Sequence, residues 1–135
     1  MTSHARGFFD VKLTRQETGQ KPGDVTHSRL SIDKQWHGDL EGTSKGEMLA
    51  AGSGAEGSSG GYVAIERVTG TLAGRTGSFT LQHTGVMKRG TASLTITVIP
   101  DSATGQLVGL TGTLAIDITD GKHLYDLTYT LPAAP

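Results

Sequence analysis

The chain has 135 residues, 35% hydrophobic and 19% charged, with 12 basic against 13 acidic side chains and a formal charge of -1. That composition fits one soluble globular core, so a single domain over residues 1–135 is expected. With no basic stripe and no cysteine, it excludes a nucleic-acid footprint, disulfides, thiolate metal sites and a cysteine nucleophile.

The dominant period along the chain is two. Near the start, Phe9, Val11 and Leu13 alternate with Asp10 and Lys12, giving a strand near 5–13. The opening "MTSHARGFFDVK" holds no apolar run of signal-peptide length, and nothing later approaches the ~18 apolar residues of a membrane helix. A cytoplasmic protein without membrane contact is expected. "ETGQKPGD" (Glu17 to Asp24) is loop chemistry. "SRLSIDKQWHGDLEG" then alternates at length, with Leu30, Ile32, Lys34, Trp36, Gly38 and Leu40 on one face, which reads as a strand over 28–41.

A short strand follows at 45–51, and "AAGSGAEGSSGG" (Ala50 to Gly61) reads as a low-complexity mobile loop. Further strands fall near 62–72, 77–87, 92–99, 107–118 and 122–131, with Asp120-Gly121 a type I′ hairpin signal between the last two. No segment has a helical stripe. Eight antiparallel strands without a helix to cover a sheet face point to an all-β fold, a single eight-stranded antiparallel β-barrel, because closure removes every edge. A two-sheet sandwich shares the alternation and stays open as the alternative.

The glycine-rich stretches "TGTLAGRTGSFTL" (Thr69 to Leu81) and "TGQLVGLTGTLAI" (Thr104 to Ile116) share one frame. Each reads as the same bent connection into a strand. A phosphate-cradling loop is excluded, since no Lys and no helix follow. The copies differ where the first runs on to Gln82-His83. By parity His83 sits with Phe79, Leu81 and Met87, while Glu66 sits with Tyr62, Ala64 and Val68; both faces of Glu66's strand are half-apolar, so parity leaves its direction open.

Ionisable groups inside a barrel lose hydration, which raises a carboxylate's pKa and lowers a histidine's unless a partner compensates. Glu66 and His83 are therefore the candidate acid–base pair, with Lys34, Trp36, Tyr62, Phe79, Tyr125 and Tyr129 as candidate ligand-binding wall. The competing reading is an internal ion pair that fixes strand register. His123 is a further candidate to face inward beside His83. His4, His27, His37, His83 and His123 show no metal-ligand spacing, so neither metal nor cofactor is expected. Ser44, Ser58 and Ser59 lack the strand–elbow–helix setting of a serine hydrolase.

At "SIDKQWHGDLEGTSKGEMLAAG", "GYVAIERVTGTLAGRTGSFTLQHTG" and "PDSATGQLVGLTGTLAIDITDGKHLYDLTYTL" the chain resembles a bacterial family known as domain of unknown function three-two-two-four. The resemblance implies an allene-oxide-cyclase-like, eight-stranded antiparallel barrel. Related barrels include plant allene oxide cyclases and dirigent proteins, which hold an apolar substrate in one folded conformation. No cyclase catalytic motif matches positions here, so no catalytic role transfers. Three functions follow as expectations: a cofactor-independent cyclase or isomerase using Glu66 and His83, a non-catalytic carrier of a small hydrophobic ligand, or a structural barrel that forms a homo-oligomer such as a dimer.

Overall fold

A computed structural model describes residues 2–16, 26–52 and 57–133. Alternating side chains that cannot bury a helical stripe are all absorbed into eight strands: β1 (Ser3–Gln16), β2 (Thr26–Gly38), β3 (Leu40–Gly52), β4 (Gly60–Leu72), β5 (Arg75–Lys88), β6 (Thr91–Val98), β7 (Thr111–Thr119) and β8 (Lys122–Thr130). They pair antiparallel in chain order, and β8 returns to β1, so the sheet closes into a barrel. No helix among the described residues is long and apolar enough to cross a membrane.

The β2–β3 boundary differs from the periodicity. The strand expected over 28–41 ends at Gly38, and β3 begins at Leu40. Gly38 takes φ +112, a conformation that L side chains rarely adopt. Its amide donates to the Glu41 carboxylate at 2.9 Å, and the Asp39 carboxylate accepts from the Arg6 amide at 2.9 Å. Trp36 and Leu40 both point inward across this turn, so the alternation continues in phase and hides it. The loop expected at Glu17–Asp24 lies outside the described residues. Of the loop expected at Ala50–Gly61, residues 53–56 lie outside them, while Ala50–Gly52 and Gly60–Gly61 are strand.

The Asp120–Gly121 hairpin forms as its residues dictate, with φ of 51 and 77. Ala73–Gly74 (52 and 75) and Arg89–Gly90 (46 and 85) make similar two-residue turns.

The repeated frame is not the same connection twice. Its first copy is the β4–β5 hairpin. Its second is a strap with one 3-10 turn over Gly105–Leu107, and β7 starts at Thr111 rather than near 107. The two copies lie against each other. Beyond the end of β6, the edge of β5 would be bare. There the Thr80, Ser78 and Thr76 amides donate to the side-chain oxygens of Ser102, Thr104 and Gln106 at 3.0, 3.2 and 2.9 Å. The Thr104 amide donates to the Ser78 carbonyl at 2.8 Å. A ladder of side chains thus replaces strand pairing, and among the described residues only Thr97 and Thr113 join β6 to β7.

The strap also fills one end of the barrel. Leu107 and Leu110 are fully buried in a core of Ala5, Phe9, Trp36, Leu40, Val68, Leu72, Phe79 and Leu127. Truncating Leu107 to Ala should cost about 2–5 kcal/mol in chemical denaturation, the usual cost of a buried Leu→Ala cavity. Truncating Val108, which is 60% exposed, should cost little. Equal losses at the two sites would mean that the strap does not plug the core.

Candidate functional site

Four adjacent strands converge on one carboxylate. The period-two register turns Lys34 of β2, Ser44 of β3, Glu66 of β4 and His83 of β5 inward, and all four are buried. Inward positions on β3 are small (Gly42, Ser44 and Gly46), which leaves volume between β2 and β4. Lys34 pairs with Ser44 and Glu66 with Gly46 in the ladder, so Lys34 reaches Glu66 across that gap.

The Lys34 Nζ donates to Glu66 Oε1 at 2.8 Å, and His83 Nε2 donates to the same oxygen at 2.6 Å. Ser44 Oγ donates to Glu66 Oε2 at 2.6 Å and accepts from Trp36 Nε1 at 3.1 Å. An ionised carboxylate only accepts, so the ring hydrogen of His83 sits on Nε2. The other ring nitrogen, Nδ1, lies 3.4 Å from the Tyr62 hydroxyl, its hydrogen-bond partner. The ammonium of Lys34 also lies 4.4 Å from the Phe9 ring centroid and 5.2 Å from that of Trp36.

Burial by itself pushes the Glu66 carboxyl up. The hydrogen bond from His83, the charge and hydrogen bond of Lys34, and the hydrogen bond from Ser44 together outweigh it and hold the group at about 2. Glu66 is therefore a permanent anion near neutral pH. Tyr62 is pushed up, first by its own burial and then by the Glu66 charge, so its hydroxyl keeps its proton.

The site residues expected from sequence fall into two groups. Glu66, His83, Lys34 and Tyr62 form one contiguous network, and Trp36 joins it through Ser44. Phe79, Tyr125 and Tyr129 lie in the packed core. The Tyr125 hydroxyl serves the β2–β3 turn, accepting from the Leu40 amide at 3.0 Å and donating to the His37 carbonyl at 2.9 Å. The His123 ring packs against Phe9 at 5.2 Å between centroids. Ser44 and Phe9 are the contributors that sequence reasoning missed. Parity from the true start of β3 at Leu40 would have placed Ser44 inward. No group of three or more His, Asp or Glu among the described residues could hold a metal ion.

The end of the barrel opposite the strap is different. Leu13, Met87, Leu94 and Ile118 share the inward register of their strands, yet they are 47, 40, 42 and 64% exposed. Tyr62 lies between this apolar rim and Glu66 along β4. Its ring lies flat over Gly85, where an added Cβ would come within 2.3 Å of it. Glycine is required there to seat the tyrosine.

A family model described as "Protein of unknown function (DUF3224)" matches residues 5–129. A crystal structure of a protein of unknown function from the DUF3224 family of Shewanella oneidensis MR-1 is similar at 44% identity and a TM-score of 0.91, covering 99% of this chain and all of that one. No curated protein matches the chain.

A carboxyl held at about 2 when folded, against an ordinary 4.5, stabilises the fold fully above about pH 4.5, and that stability is lost as pH falls toward 2. Glu66→Gln should cost about 3–5 kcal/mol near neutral pH, because Lys34 loses its counter-ion. The variant should also lose this acid limb of the thermal-unfolding profile. A second readout is the nitrogen shifts of the His83 ring. In the wild type they should report Nε2–H, and the preference should weaken in Glu66→Gln.

Proposed function

The chain belongs to the DUF3224 family, and from its site we propose that it takes up a small, largely apolar molecule at the exposed end of the barrel, above His83 as a base. The observation that carries this reading is the layering of that end. Apolar inward side chains are left exposed at the rim, and between them and Glu66 a buried network runs from Lys34 through Glu66 and His83 to the Tyr62 hydroxyl. A core built only for stability fills such positions; the strap does so at the other end.

The division of labour within the pair follows from hydrogen-bond capacity. Glu66 accepts from three donors and is held at about 2, so it does not carry the proton. It is the positioning residue: it fixes the ring and favours the imidazolium that forms when Nδ1 picks up a proton. Lys34 balances the carboxylate charge, which keeps the resting site neutral. This arrangement supports cofactor-independent proton transfer of the isomerase or cyclase kind. A carrier would need only the apolar rim.

The uptake reading is tested with 8-anilinonaphthalene-1-sulfonate, following dye emission and the fluorescence of Trp36, the chain's single tryptophan. Leu94→Asp or Ile118→Asp at the rim should weaken dye binding tenfold or more without lowering Tm. Ile65→Asp, on the outer face, should leave it unchanged. Loss with Ile65→Asp alone would move the binding surface outside the barrel.

A second reading has its own observation. Leu49, Val63, Ile65 and Val86 form an exposed apolar strip on the outer face of β3–β5, beside a groove of about 680 Å³. A second copy of the chain is the occupant this reading names. Sedimentation of wild type and Val63→Glu should then show a dimer in the first and a monomer in the second. A monomeric wild type at high concentration would remove the reading.

A further inference from the structure

Resting on the uptake reading above, we propose that the molecule taken up presents an uncharged aromatic group, one ring or two fused rings in size. That group enters a cavity floored by the Tyr62 ring at the mouth ends of β4, β5 and β6.

The cavity follows from the strand register. Tyr62, Gly85 and Leu94 pair across the three strands in one row, and Gly60, Met87 and Ala92 pair in the next row toward the mouth. All six share the inward register of their strands. Gly60, Gly85 and Ala92 carry little or no side chain, so nothing fills the space between the Tyr62 ring, Met87 and Leu94. The space bounded in this way is about 230 Å³, and no charged side chain lines it.

Volume sets the size of the guest. An apolar cavity of about 150 Å³ takes up benzene, and drug-sized ligands fill about 300–1,000 Å³. This cavity lies between those limits. The lining sets the charge. The Lys34 ammonium is already matched by Glu66, so an ionic group brought into the cavity would find no partner. An ionic substituent is tolerated only where the cavity opens to solvent. The walls select an aromatic over an aliphatic guest. The Tyr62 hydroxyl has His83 Nδ1 as its partner, so Tyr62, which is half-buried, offers the cavity its ring. Aromatic rings pair offset or edge to face, and the thioether of Met87 adds a sulfur–aromatic contact. An aliphatic chain of the same size would gain burial alone.

The experiment titrates the full chain with indole or with 1-octanol, which have equal numbers of heavy atoms, and follows the methyl signals of Met87, Ala92 and Leu94 by NMR. Indole should shift all three to saturation. 1-Octanol should bind about tenfold more weakly, the combined worth of an aromatic and a sulfur contact. Ala92→Phe, at an exposed position, should fill the cavity and weaken indole about tenfold or more without lowering Tm. Tyr62→Phe keeps the ring over Gly85 and should hold the Kd for indole within about twofold. 1-Octanol that binds as tightly as indole overturns the aromatic assignment and leaves the uptake reading standing. Shifts confined to Leu13 and Ile118, or indole binding that survives Ala92→Phe, overturn the place of the site. A tenfold loss in Tyr62→Phe overturns the assignment of the ring, because the hydroxyl would then be the contact. If neither compound moves any of these five residues up to its solubility limit, both readings fall.

Discussion

A carboxylate with no exposure to solvent is the constraint on which this barrel depends. Removing such an ion from water costs several kcal/mol, and the loss is offset only by well-placed donors and an opposite charge. Glu66 meets that condition with donors from β2, β3 and β5, its own strand supplying none. One acceptor therefore ties four neighbouring strands. A one-residue slip of any of them would turn its donor to the outside and strand the charge. The same geometry explains the small inward residues of β3: a bulky side chain at Ser44 or Gly46 would stand between Lys34 and Glu66.

The two ends of the barrel solve closure in different ways. At the strap end, β6 is too short to cover β5, with 8 residues against 14. The chain substitutes Ser102, Thr104 and Gln106 side chains for a strand and drops Leu107 and Leu110 into the core. At the other end, Arg89–Gly90 and Asp120–Gly121 make tight two-residue turns, and the inward-register side chains of Leu13, Met87, Leu94 and Ile118 are partly exposed. The network of Glu66 sits between the packed end and this exposed end.

The fold was legible in the sequence because its signal is the simplest available, alternation over eight stretches with glycine turns between them. The β2–β3 turn was not, because Trp36 and Leu40 are in phase across Gly38 and Asp39. The repeat misled for a related reason: the same frame of Thr, Gly and Leu can hydrogen-bond through its backbone in β5 or through its side chains in the strap. In the site, ionisable residues within apolar strands singled out Glu66 and His83, which the structure brings to 2.6 Å, and Lys34 and Tyr62 lie in contact with them. Ser44 was invisible because its role depends on the start of β3. The depressed carboxyl of Glu66 was also not legible, since expecting a raised one ignores three donors contributed by distant segments.

The three donors on Glu66 have a further consequence for how the two ionisable partners divide their work. Had Glu66 faced His83 alone in a dry interior, sharing a proton between them would have been the cheapest arrangement. Lys34 changes this. Its charge balances the carboxylate, and Ser44 donates to the second oxygen. Phe9 and Trp36 screen the ammonium from water and leave it facing Glu66. Toward the exposed end the network continues from His83 Nδ1 to the Tyr62 hydroxyl, with the ring held in direction by the hydrogen bond to Glu66 behind it. The buried charges stabilise one strand register, and through that register they fix the His83 ring and the Tyr62 hydroxyl beside it.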